Sequence, residues 1–184
     1  IGERVSMTDF ARGGTLARYF AGLCEQVFEG DLGVVDPPLV DYLSELMLRF
    51  ARFDSVHRVR NLSGRPVVEV ADMLSEAESR IGLARRDVHR HIGDVTLFWT
   101  GVYPETLQKL RAVEKKDYFV DYCNQGKRAY YIASTIETDR DEDAPNALLQ
   151  RLSFQFELCA YGLGEVRREW ERRDDDGPRT LMVE

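Results

Sequence analysis

Apolar residues recur every three or four positions along most of the chain and almost never alternate, a pattern that predicts helices rather than strands. Thr8 or Asp9 is a suitable N-cap for the first run, in which Leu16, Phe20, Leu23 and Val27 share a face. Gly13-Gly14 weakens the start of that helix, and Gly30 and Gly33 end it. Asp36-Pro37 then sets up a second helix, with Asp as N-cap and Pro at the first helical position, where its missing N–H costs nothing. Leu39, Leu43, Leu46, Phe50 and Phe53 follow at steps of 4, 3, 4 and 3, one continuous seam.

Residues 54–66 break the pattern with the turn residues Asn61, Ser63, Gly64 and Pro66. Val67-Val68-Glu69-Val70 has strand composition, but Ala71, Leu74 and Ala77 continue a helical stripe and no partner strand exists, so helix is expected. A helix over 83–101 carries Val88, Ile92, Val95, Trp99 and Val102 on one face, and Pro104 then opens a short helix through Leu107 and Leu110. From Lys115 to Ile136 two apolar stripes run side by side, the mark of a helix central in a bundle. The acidic stretch Glu137 to Asp143 is expected as a solvated loop. Leu149, Leu152, Phe156, Cys159, Leu163, Val166 and Trp170 then alternate steps of 3 and 4, which predicts one long unbroken helix. The expected architecture is therefore all-α: a single-domain bundle of six or seven helices over 7–173, with the long C-terminal helix in the core. Residues 1–6, which precede Met7, are expected to be disordered or an expression-derived lead-in, and 174–184 a loose acidic tail.

Composition narrows the class. With 184 residues, 43% hydrophobic and 31% charged, the chain can bury a proper core, and disordered or disulfide-stapled scaffolds are excluded. A net charge of −7 argues against nucleic acid or an anionic membrane as partner, and no apolar run approaches the ~20 residues of a membrane helix. Cys24, Cys123 and Cys159 are widely spaced and form no C-x-x-C, so reduced thiols and a cytoplasmic location are expected. Only four basic residues are Lys, leaving 21 Arg spread along the whole chain, which favours coding bias over an anion site.

Catalytic motifs are missing: there is no P-loop, G-x-G-x-x-G, H-E-x-x-H or G-x-S-x-G, and no catalytic residue is assigned. Gly162-Leu163-Gly164 reads as small residues at a close helix crossing. The best polar cluster is Asp87, His91 and Asp94, spaced i, i+4 and i+7 on one helix, with Tyr103 beyond them. Such a set could hold a small molecule or half of a metal site, although no cofactor is expected and no Glu-x-x-His of a di-iron bundle occurs. A structural His–carboxylate hydrogen bond at the core edge is the favoured alternative, with His91 inward between Val88 and Val95. His89 is expected on a different, solvated face. The segment 49–65 sets Arg49, Arg52, Arg58, Arg60 and Arg65 against Asp54 alone, a candidate contact for an anion or an acidic partner. Pairing of these arginines with carboxylates on neighbouring helices is the favoured alternative. Tyr103, Tyr118, Tyr122, Tyr130 and Tyr131 crowd one region and are expected mostly in the core.

Two functions follow as expectations. The first is a helical interaction module whose partner is protein, most simply a second copy in a two-fold dimer. The second is a small-molecule or metal-binding bundle with its polar site around Asp87, His91, Asp94 and Tyr103.

Overall fold

A computed structural model of the chain describes residues 14–51, 68–110, 117, 120–141 and 144–175; among them every regular element is helical and none is a strand. Helix α1 spans Thr15–Cys24 and continues as a π-helical stretch over Glu25–Asp31, marked by the long bond from Leu32 N–H to the Val27 carbonyl at 2.9 Å. Gly33 then turns the chain with φ +68°, a conformation that suits glycine. Helix α2, Pro37–Ala51, begins as its sequence predicts, with Asp36 Oδ1 accepting from the Leu39 N–H at 3.3 Å. Its seam residues Leu39, Leu43, Leu46 and Phe50 are buried. Thr8, Asp9, Phe53, Tyr118, the turn at 54–66, the lead-in at 1–6 and nearly all of the tail lie outside the described residues.

Helix α3 spans Val70–Glu78, so Val70 is helical while Val68 precedes the helix and is exposed. Its inward face is Val70, Met73 and Ala77, whereas Ala71 and Leu74 are half-buried. Asp117 fixes the start of this helix. Its carboxylate accepts from the N–H groups of Val70 (3.0 Å) and Ala71 (2.8 Å) and from the Tyr122 hydroxyl (2.5 Å). It thus caps α3 from a distant segment and favours the positive end of that helix.

Helix α4, Gly82–Gly101, is the axis of the molecule. It packs against α3, against α5 (Pro104–Leu110), α6 (Tyr122–Ser134) and α8 (Phe156–Asp175), and more lightly against α2. Helix α6 starts seven residues later than the stripes from Lys115 predict, because Asp121 takes the N-cap and accepts from the Asn124 N–H at 3.1 Å. Small residues let these helices approach. A Cβ on Gly93 would lie 2.7 Å from the Tyr130 ring; one on Gly101 would lie 2.8 Å from the Ala160 carbonyl oxygen. One on Gly126 would overlap Thr96 and Phe156, and one on Gly162 would overlap the Phe28 ring. The Gly162–Gly164 segment is therefore a packing surface, as its sequence suggested.

The expected single C-terminal helix is two, α7 (Asn146–Phe154) and α8, bent at Gln155 with φ −105° and ψ 22°. This bend brings the described helices to eight where six or seven were expected. The hydrogen-bond ladder survives it: Gln155 N–H donates to the Arg151 carbonyl at 2.8 Å, and Cys159 N–H to the Gln155 carbonyl at 2.9 Å. The bend lets α7 lie on α6 while α8 turns to α4 and α1. Leu149, Leu152, Phe156, Cys159, Leu163 and Val166 are all fully buried, and Trp170 meets the Phe20 ring edge-on at 5.3 Å. The heptad seam is spent inside the chain. Buried apolar side chains from the helices join in one core. Among the described residues no helix is long and apolar enough to cross a membrane.

Candidate functional site

The four residues of the predicted polar cluster part company. Asp87 is exposed and pairs with Arg140, Oδ1 to Nη2 at 2.7 Å. Tyr103 lies beyond the other end of α4, about 24 Å along its axis, where the Arg167 guanidinium covers its ring at 4.4 Å. His91 is inward and buried, its ring nearly parallel to Phe50 with centroids 6.4 Å apart. Asp94 is also buried, and one arginine of the basic segment joins it. Arg49 Nη1 donates to Asp94 Oδ2 at 3.1 Å, while the hydroxyls of Tyr42 (2.6 Å) and Tyr130 (2.8 Å) donate to Oδ1. Arg52, Arg58, Arg60 and Arg65 lie outside the described residues.

This network holds Asp94 ionised. Burial pushes the Asp94 carboxyl up, but the Arg49 and Arg90 cations and the two tyrosine hydroxyls outweigh it and hold it below the ordinary 3.8. Burial and then the Asp94 charge raise the Tyr42 hydroxyl to about 12, and Tyr130 is raised by the same causes. Burial works against the Arg49 charge, yet Asp94 more than compensates and raises its pKa. The carboxylate and both tyrosine hydroxyls are used, while Arg49 Nε and Nη2 stay buried without a hydrogen-bond partner, and the network ties α2, α4 and α6 together.

A second polar group on α4 is not satisfied. His89, expected on a solvated face, is only 4% exposed, and neither ring nitrogen has a hydrogen-bond partner. The cause is the central position of α4, which leaves little of its circumference to water. His89 borders a cavity of about 250 Å³ between α3, α4 and α6, open to the surface. Glu78 comes from α3, Arg85 from α4, and Gln125 and Arg128 from α6; Leu74, Ala129 and Ile132 form an apolar wall. The Arg85 Nε is likewise buried without a partner. Burial, then the charges of Arg85 and Arg128, push the His89 imidazole down to about 4, so it is neutral at neutral pH. A neutral imidazole offers one donor and one acceptor nitrogen. The sequence does carry a signal: His89, Gly93 and Thr96 fall at i, i+4 and i+7, and two small residues in line with a histidine mark a second buried face.

Two further buried polar residues are structural, and no sequence pattern marks them. Asp117 caps α3, as described above. Arg86, fully buried, donates to the carbonyls of Ile136 (3.1 Å) and Ala144 (2.6 Å) and to Asn146 Oδ1 (3.0 Å). Cys24 and Cys159 are buried free thiols pushed up to about 12 by burial first, and thus protonated; Cys123 is half-buried, 3.8 Å from Glu157 Oε1. Among the described residues no three His, Cys, Asp or Glu side chains converge on a point that could hold a metal ion. In comparisons with known proteins, no family model, no curated protein and no solved structure matches the chain.

Proposed function

We propose that the chain is a small-molecule-binding helical protein whose ligand occupies the cavity at His89. The supporting observation is that imidazole, buried in a folded interior with both nitrogens unused. An unpartnered buried polar group costs about 1–3 kcal/mol, and such groups in native proteins generally have a partner. A ligand with polar and apolar parts supplies one and covers Leu74, Ala129 and Ile132 as well. The polar site moves accordingly from the cluster around His91 to the opposite side of the same helix. The test is a thermal-shift screen of small organic acids, amides and amines against the wild type and His89→Leu. A compound that raises the wild-type Tm but not that of the variant supports the reading; the same response in both defeats it.

Self-association through a second copy is a second reading, favoured by one surface. Phe154, Leu158 and Tyr161 are 68%, 40% and 55% exposed and fall at i, i+4 and i+7 across the α7–α8 bend. Lys127 and Glu157, paired at 2.6 Å, lie beside them, and a plus–minus couple is self-complementary under a two-fold axis. Light scattering that gives the mass of two chains for the wild type and of one for Leu158→Glu supports this reading. One chain's mass at every concentration removes it.

A further inference from the structure

The cavity at His89 has a polarity that selects among ligands, and the inference drawn from it rests on the binding role proposed above. Three elements contribute its charged groups: Arg85 from α4, Arg128 from α6 and Glu78 from α3. Two guanidiniums thus face one carboxylate, around a histidine that is neutral at neutral pH. The surplus is a single positive charge. The Arg85 Nε is a buried donor with nothing to bond, and His89 holds a second unused donor. Across from them stand Leu74, Ala129 and Ile132, with the Gln125 amide at the border. At about 250 Å³ the space exceeds the ~150 Å³ of a cavity that takes up benzene and falls short of the ~300 Å³ at which drug-sized pockets begin.

We infer that the cavity receives a small organic monocarboxylate, its carboxylate between Arg85, Arg128 and His89 and its apolar body against Leu74, Ala129 and Ile132. A carboxylate matches the planar fork of an arginine, and one negative charge cancels the surplus. A dianionic phosphate would leave an excess negative charge and nothing to cover the aliphatic wall. Binding also reverses the electrostatics of the histidine. An anion beside the ring offsets the repulsion from Arg85 and Arg128, so the bound complex holds the proton more tightly than the free protein does.

Benzoate, its uncharged counterpart benzamide, and inorganic phosphate separate the possibilities. Each is titrated into the full chain at pH 7 by calorimetry, and the His89 ring is followed by NMR through pH 4 to 7. Benzoate is expected to bind at least tenfold more tightly than benzamide or phosphate, and to move the His89 titration upward. Arg128→Gln, at an exposed position where folding is not at stake, is expected to weaken benzoate at least fivefold, with a thermal melt confirming an intact fold. Equal binding of benzoate and benzamide at His89 overturns the carboxylate and leaves the cavity as a neutral-ligand site. Phosphate binding without benzoate overturns the apolar body. Benzoate binding that Arg128→Gln and the His89 resonances do not register places it elsewhere and overturns the inference. Failure of every probe, here and in the wider screen, overturns the binding role itself.

Discussion

Asp94 and His89 sit five residues apart on one helix and should respond to acid in opposite circumstances. Asp94 is buried and ionised, so removing its charge strands Arg49 and two tyrosine hydroxyls. Asp94→Asn should cost about 3 kcal/mol in urea unfolding at pH 7, toward the low end for a broken buried pair because Arg49 keeps some access to water. Its folded pKa is depressed, so the stability it adds is present above the ordinary 3.8 and is lost as pH falls below that value. The asparagine variant should lack that lower loss. His89 behaves as a buried neutral base. Above its unfolded pKa of 6.5 it changes nothing; as pH falls from there to about 4 the unfolded chain takes up the proton first and the fold loses stability. Wild type should lose about 1–2 kcal/mol across that interval from this group, less than the full shift would give because the ring borders a cavity open to water, and His89→Gln should flatten it, as measured by urea unfolding at closely spaced pH values. The inward placement of His91 was legible because Val88 and Val95 bracket it one turn away on each side. The partners of Asp94 were not, since Tyr42, Arg49 and Tyr130 lie 52, 45 and 36 positions away in the chain. The burial of His89 had only a weak local signal, Gly93 and Thr96 in line with it, because its extent depends on how many neighbours α4 acquires.

Glycines decide how closely the helices pack, and they divide into two kinds. Gly126 lies where a Cβ would overlap Thr96 and Phe156, both fully buried. Gly126→Ala should therefore force α6 away from α4 and α8 and cost about 1–3 kcal/mol. Gly22, exposed on α1, has nothing within 4 Å of an added Cβ. There alanine should stabilise by about 0.5–1 kcal/mol through helix propensity alone. Thermal melts of the two variants should move in opposite directions; a shift of the same sign in both would contradict the packing described. The helices themselves were read well where caps and proline punctuate them, as at Asp36-Pro37 and Pro104. They were misread where the apolar pattern does not mark the boundary. Asp117 fixes the start of α3, Asp121 delays α6, and the bend at Gln155 carries neither proline nor glycine to announce it.

In the molecule as a whole, α4 is enclosed by helices drawn from both halves of the chain, and its amides are the most sheltered. Hydrogen exchange should find residues 88–98 opening only with global unfolding, while the ends of α1 and α8 exchange through local fraying. Rapid exchange along the middle of α4 would show that the bundle is not organised around it. The all-α class was legible from periodicity, since every described element is helical. Whether the heptad from Leu149 to Trp170 closes within or between chains was not, because a seam records only that some helix faces it. Its burial against α4 and α1 leaves the exposed residues Phe154, Leu158 and Tyr161 as one surface on which a second copy could sit.

Arg86 sets where this chain could be opened. Reaching from α4 to the carbonyls of Ile136 and Ala144 and to Asn146, it clasps both ends of the segment between α6 and α7. The closure entropy of that loop is thus met by a side chain of a third element rather than by the loop's own sequence. Doubling the length of a flexible loop costs only about 0.6 kcal/mol in closure entropy. Asp139, Arg140 and Asp141 are exposed, and new termini or a grafted domain fit there as long as the clasp remains.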